Sequence, residues 1–189
     1  LAYHFVDESL AVFLNQYDLQ TNLYVLNILT TFGKFAIYLI LFLLMALYFR
    51  YVRVNAVNEA KTLYLLACII ISNLVCLVLK VILSRARPGL LFSIHDFGFF
   101  WFQSQDIYWS FPSGHTTTVV SLAAGLGVLF PRHFYVFLTL AVCVALSRVL
   151  LYYHYLSDIM TAFYISILVI GFFTQYLKRN QYLSKALKK

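Results

Sequence analysis

From Thr62 to Leu83 the chain runs for 22 residues with one charged side chain, Lys80. At 1.5 Å per residue such a run makes a helix of about 33 Å, enough to cross the hydrocarbon core of a bilayer. Four more apolar stretches accompany it, at 30–49, 114–130, 134–153 and 155–177. Hydrophobic residues make up 62% of the 189 and charged residues 11%, where a globular domain carries roughly a quarter. The expected fold is therefore all-α, a polytopic transmembrane helix bundle with five visible spans. No Pro/Gly/Ser-rich linker, internal repeat or low-complexity tract divides it, so 1–189 is expected to form one domain.

The charges set the orientation. The formal charge is +7, but nine of the fourteen Lys and Arg residues (Arg50, Arg53, Lys61, Arg132, Lys178, Arg179, Lys185, Lys188 and Lys189) lie in turns or in the tail 178–189. That distribution is the positive-inside pattern of a membrane protein and speaks against a nucleic-acid partner. With those turns and the basic tail in the cytoplasm, the spans alternate consistently. The connection 84–113 and the junction of the last two spans then share the opposite face. Only Lys34, Lys80, Arg85, Arg87 and Arg148 remain as cations outside the cytoplasmic segments. A positive cluster thus survives on a face that topology normally keeps poor in Lys and Arg.

Residues 1–26 mix His4, Asp7, Glu8 and Asp18 with apolar residues and are too polar to span. They are expected to lie at the interface as an amphipathic helix, acids on a solvated face, with Asp7 against a substrate as the weaker alternative. Between Phe97 and Phe111, eight of fifteen residues are aromatic, including Trp101 and Trp109. This density fits an interfacial belt first, and the mouth through which a lipid enters second. Cys68, Cys76 and Cys143 all fall within apolar spans, with no metal or disulfide spacing, and are expected as small buried hydrophobes.

Three segments carry polar side chains suited to chemistry. Lys80 and Arg87 are seven apart, so one helix would present both on one side until Pro88 ends it. Taken in isolation, the pair reads as snorkelling to headgroups; placed with other cations, it can clamp a phosphate. The stretch Ser110-Phe111-Pro112-Ser113-Gly114-His115 precedes a run rich in small residues, Ser121, Ala123, Ala124, Gly125 and Gly127. Proline and a capping serine begin a helix, and a helix start offers free N–H groups to an anion. The imidazole of His115 beside it can move protons near neutral pH. In the third segment His154 and Asp158 are four apart, adjacent on a helical face, so the carboxylate can orient the imidazole. Arg148 joins them only if the helix breaks near Tyr152–Tyr153. A lone His–Asp pair is usually structural; alongside a second histidine and three cations on one face it points to catalysis.

Lys80-x6-Arg87-Pro88, Pro112-Ser113-Gly114-His115 and Ser147-Arg148-x5-His154-x3-Asp158 together resemble the three-part signature of the type 2 phosphatidic acid phosphatase superfamily, membrane branch. The resemblance implies an integral-membrane, metal-independent lipid phosphatase that works through a phosphohistidine. In it His154 is the nucleophile, Asp158 orients it, and His115 protonates the leaving oxygen and later activates water. Lys80, Arg87, Ser113, the N–H of Gly114 and Arg148 hold the phosphoryl oxygens. No cofactor and no metal are implied. The substrates it allows are phosphatidic acid, phosphatidylglycerophosphate, undecaprenyl diphosphate or a lipid A phosphate, in the bilayer of a bacterial inner membrane with the site on the periplasmic face. The alternative is a lipid phosphotransferase. Membrane relatives resemble a six-span core, and Leu1 is not a start methionine, so a first span is expected upstream of this numbering. Oligomeric state is not set by these motifs.

Overall fold

The computed structural model describes residues 2–17 and 24–182. The expectations placed on Leu1, Asp18, Lys185, Lys188 and Lys189 lie outside the described residues. Within them the chain is helical, and the one strand-like feature is an isolated bridge between Arg85 and Phe99. Two short helices, α1 (Ala2–Phe5) and α2 (Asp7–Asn15), open the chain, followed by α3 (Tyr24–Thr31) and α4 (Phe35–Leu47) with a π-helical turn at Tyr48–Val52. Then come α5 (Ala56–Leu83), α6 (Pro88–Ile94), α7 (Gly114–Leu129), α8 (Phe134–Leu150) and α9 (Leu156–Arg179).

Phe35–Val52, Ala56–Leu83, Pro131–Leu150 and Leu156–Arg179 are long and apolar enough to cross a membrane, while Gly114–Leu129 is apolar but shorter. The protein is an integral membrane protein built as an all-α bundle. The first span was expected from residue 30. It begins at Phe35, because α3 closes at Thr31, the N–H of Gly33 turns back to the Thr30 carbonyl at 3.0 Å, and Lys34 is extended.

The short helix α7 is the axis of the bundle. It packs against α5, α8 and α9, and more lightly against α4. Its small residues permit this. A Cβ added at Gly125 would stand 3.1 Å from Leu65 and 3.3 Å from Cys68 on α5, and one at Gly127 only 2.5 Å from Phe134 at the start of α8. Thr116 to Ser121, Ala123 and Gly125 are buried. On one side Phe42, Tyr64, Leu65, Leu66, Cys68, Ile69 and Ile170 join α4, α5 and α9, where the Tyr64 hydroxyl lies 2.7 Å from Thr174 Oγ1. On the other, Val119, Val120 and Ala123 meet Ala141 and Val144 of α8. Large apolar side chains such as Leu44, Leu74, Val78, Tyr164 and Phe172 point outward, as a lipid-facing surface requires. Cys68 and Cys76 are buried; Cys143 was expected there too but sits on the outward face of α8.

In the N-terminal segment it is Asp7 that departs from expectation. The helix α2 sets Ala11 against Leu91 and Tyr155, and Leu10 and Leu14 against Ala145, Val149 and Ile159. Asp7 is 1% exposed, not solvated. An acid can be buried so deeply only against a counter-charge, and Arg85 supplies it.

Candidate active site

Three connections meet at one end of the bundle, around the start of α7. The opposite end holds the basic turns, where Lys61 lies over the Phe130 ring at 5.6 Å.

The first connection follows α5. Lys80 and Arg87 were expected on one continuous helix stopped by Pro88. The helix ends earlier, at Leu83, because Ser84 takes a left-handed conformation (φ 44°) and its hydroxyl donates to the Val81 carbonyl at 2.9 Å. Pro88 then begins α6 instead of ending α5, at the first helical position, where its missing N–H costs nothing. The strip 84–87 is zipped to the aromatic connection by backbone hydrogen bonds. Phe100 N donates to Ser84 O at 2.9 Å, Ala86 N to Gly98 O at 3.1 Å, Arg87 N to Ile107 O at 3.1 Å, and Ser110 N to Arg85 O at 3.0 Å. Phe97 and Phe99 thus turn inward onto Arg85, while Trp101 and Phe102 remain exposed.

The second connection is the start of α7. Ser113 caps it, its Oγ accepting from Thr116 N at 3.5 Å and from Thr116 Oγ1 at 3.1 Å. Lys80 reaches across: its Nζ donates to the Trp109 carbonyl at 2.5 Å, and a Cβ on Gly114 would touch its Cε at 3.7 Å. An ammonium has three donors, so two remain for another acceptor. His115 packs directly on the backbone of Gly33, where an added Cβ would meet its Cδ2 at 2.6 Å.

The third connection, between α8 and α9, breaks where expected. Tyr152 is left-handed (φ 56°), and the N–H groups of Tyr153 and His154 both return to the Arg148 carbonyl, at 3.1 and 3.3 Å. The break keeps Arg148 and His154 together. The Arg148 guanidinium lies 4.2 Å from the Tyr153 ring centre and donates from Nη1 to Thr30 Oγ1 at 2.6 Å. The Nε atoms of Arg87 and Arg148 are buried without a hydrogen-bond partner, two strong donors left open to a ligand. Arg87 also lines a cavity of about 460 Å³ with Asp106, Tyr152 and Tyr153.

His154 precedes the N-cap of α9, and Asp158 is the third residue of that helix; the pair meets through the cap and not on a helical face. Asp158 Oδ2 accepts from Tyr155 N at 2.9 Å and from the Ser110 hydroxyl at 2.5 Å, and lies 3.6 Å from His154 Nδ1. At that separation the carboxylate attracts the imidazole without a direct hydrogen bond. Ser110 Oγ, 3.4 Å from Nδ1, bridges the two. Burial holds the His154 imidazole below its ordinary range. The attraction of the Asp158 carboxylate opposes this, and the charges of Lys80 and Arg148 reinforce it. A neutral ring whose Nδ1 is tethered presents Nε2 as a free lone pair. The charges of Arg148, Lys34, Lys80 and Arg87 all act on His115.

Residues 61–182, which contain every one of these motif positions, match the PAP2 superfamily. The chain belongs to that superfamily. Two curated relatives are a lipid A 1-phosphatase of Rhizobium etli and one of Rhizobium johnstonii, each 37% identical over 100 residues. That stretch is 51% of this chain, and 42% and 40% of the two relatives, so the chain spans about two-fifths of their length. No solved structure matches it.

Five positions around the site carry no motif signal. Arg85, Ser110, Thr30 and Gly33 each touch a motif residue and Asp7 reaches one through Arg85, yet Asp7, Thr30 and Gly33 lie before the part that matches the PAP2 superfamily. An acid alone in an otherwise apolar face of α2 was the one available hint. Among the described residues no three His, Cys, Asp or Glu side chains cluster as metal ligands would.

Proposed function

We propose that this PAP2 protein is a lipid phosphatase that removes phosphate from a membrane lipid through a phosphohistidine on His154. The observation that carries the proposal is the constellation at the start of α7. A buried imidazole tethered through Nδ1 stands among three cations, two of which keep an unpaired buried Nε. Such an array suits a phosphoryl group, whose transfer needs positioning and charge compensation more than covalent assistance.

In the first step His154 Nε2 forms a bond to phosphorus as the bond to the lipid oxygen breaks, and His115 gives that oxygen its proton. Lys80, Arg87 and Arg148, with the Ser113 hydroxyl and the Gly114 N–H, hold the equatorial oxygens. The charge of the bound phosphate offsets these cations and lets His115 carry its proton. Asp158, through Ser110, balances the positive charge on the phosphorylated ring. In the second step His115 takes a proton from water, the water oxygen bonds to phosphorus, the N–P bond breaks, and inorganic phosphate leaves.

The names of the curated relatives favour a lipid A 1-phosphate over phosphatidic acid, phosphatidylglycerophosphate and undecaprenyl diphosphate. Charge topology favours a bacterial inner membrane with the site on the periplasmic face. The test is phosphate release by the detergent-solubilised protein over those four lipids, with His154→Ala as control. Undiminished release by that variant sinks the mechanism. A phosphorylated acceptor in place of free phosphate would establish a phosphotransferase. Activity is expected to persist in EDTA; loss restored by a metal ion would contradict the proposal.

A further inference from the structure

Arg85 differs from the other cations of this end of the protein in being sealed. Its side chain is 0% exposed. Its guanidinium carbon lies 4.9, 5.4, 5.6 and 4.2 Å from the ring centres of Tyr3, Phe97, Phe99 and Tyr155. No route is open for a phosphate to reach it. Both of its Nη atoms are instead spent on protein, and Nε alone has no partner. Nη1 donates to Asp158 Oδ1 at 2.6 Å and to Ser157 Oγ at 2.7 Å, and Nη2 donates to Asp7 Oδ2 at 2.8 Å. Asp7 closes the loop, accepting Ser157 N on Oδ1 at 2.9 Å and the Ser157 hydroxyl on Oδ2.

The consequence falls on Asp158. Its two oxygens have separate duties: Oδ1 takes the guanidinium, while Oδ2 takes Ser110 and Tyr155 N and faces His154. A carboxylate held only at Oδ2 could rotate about its terminal bond; one gripped at Oδ1 by a planar fork cannot. Charge matters as well. A guanidinium alone would neutralise Asp158 and weaken its hold on a positively charged ring. With Asp7 on the other arm, two carboxylates share one guanidinium, and one net negative charge remains beside His154.

We propose that Asp7 and Arg85 are positioning residues of the phosphatase reaction, holding Asp158 by Oδ1 so that its Oδ2 edge meets Ser110 and His154. The helix α2, outside the portion matched to the PAP2 superfamily, thereby takes part in setting the nucleophile. This inference rests on the function proposed above.

The test uses the whole chain in detergent, with phosphate release from the most active of the four lipids. Asp7→Asn keeps the shape of the side chain and its acceptor for Ser157 N but removes the charge. It is expected to lower kcat at least about tenfold while KM stays within about threefold, the signature of an interaction lost in the transition state. Should Asp7→Asn fail to fold, Arg85→Lys decides by the same kcat-against-KM split, since it keeps the charge and removes the fork. A folded variant with wild-type kcat, or one in which only KM rises, overturns the proposal. Wild-type release that His154→Ala abolishes and these variants leave unchanged overturns this proposal alone; no release from any lipid overturns the phosphatase reading and this with it.

Discussion

Gly33→Ala tests whether His115 does its work from the place the fold gives it. The new methyl carbon would stand 2.6 Å from His115 Cδ2, 2.7 Å from Cβ and 2.9 Å from Cγ. Carbon atoms in contact settle at about 3.5–4.0 Å, so the imidazole, the turn at 32–34 or both must move by about an ångström. Gly33 does not adopt a left-handed backbone, so no backbone strain accompanies the change. In open space the same substitution would stabilise by about 0.4–1 kcal/mol through the unfolded chain. The cost therefore falls on the position of the ring. A misplacement of that size costs about 10²-fold in rate, or about 2.7 kcal/mol of barrier. The assay is steady-state phosphate release from the best lipid substrate, with kcat expected to drop about 100-fold and KM to change little, because Lys80, Arg87 and Arg148 are untouched. Burst kinetics with an aryl phosphate give a second check. Its leaving group needs no proton, so phosphorylation of His154 should be largely spared. Gly171→Ala, where nothing lies within 4 Å of the added carbon, is the control and should match the wild type. A folded Gly33→Ala protein with kcat within about threefold of wild type would refute the assignment of His115 as proton donor.

Thr30→Val removes the hydroxyl that takes Arg148 Nη1 at 2.6 Å, and is expected to raise KM about fivefold through a loosened guanidinium, read by substrate titration. Ser110→Ala removes the bridge between Asp158 and His154 and should lower kcat by about 10- to 100-fold with the fold intact by size-exclusion chromatography; an unchanged kcat would mean the carboxylate acts without it. For stability, His154 lies below its unfolded value of about 6.5, so the unfolded chain binds the proton first as the pH falls. Its contribution is full above that value and is lost progressively as the pH drops toward the depressed folded value. Tm measured from pH 8 to pH 5 should decline, and His154→Gln should flatten the slope.

Much of the bundle could be read from the chain because a bilayer imposes a length on every crossing helix. The break after Leu150 was legible for a different reason: without it Arg148 and His154 could not share a site. What could not be read were features decided by contacts distant in sequence. Whether α5 continued past Leu83 depended on Ser84, whose hydroxyl serves the Val81 carbonyl and receives Gln103 N at 2.8 Å. Local preference alone left Pro88 equally able to stop one helix or start the next, and the pairing of 84–87 with 98–110 chose the start. Gly33 had no visible meaning until His115 was laid against it.

Arg85 and Arg87 show most directly where local reading ends. They stand two residues apart, flanked by Ser84, Ala86 and Pro88, and carry the same side chain. Residue type and charge pattern give no ground for separating them; the seven-residue spacing from Lys80 picks out Arg87 but says nothing of what Arg85 meets. Residues two apart on a regular extended strip would share a face, so what separates the two is the set of partners the rest of the fold places against each. Arg85 turns toward Asp7 and Asp158, two acids that arrive from 78 and 73 residues away, and is closed over by aromatic rings. Arg87 lines a cavity and, among the described residues, forms no ion pair, although both arginines keep a buried Nε unpaired. A buried cation with its counter-charges is a structural strut, whereas one without them awaits an anion. The acid at position 7 supplies the counter-charge that ties Arg85 into the protein, and a motif that begins at Lys80 picks out Arg87 without containing that partner.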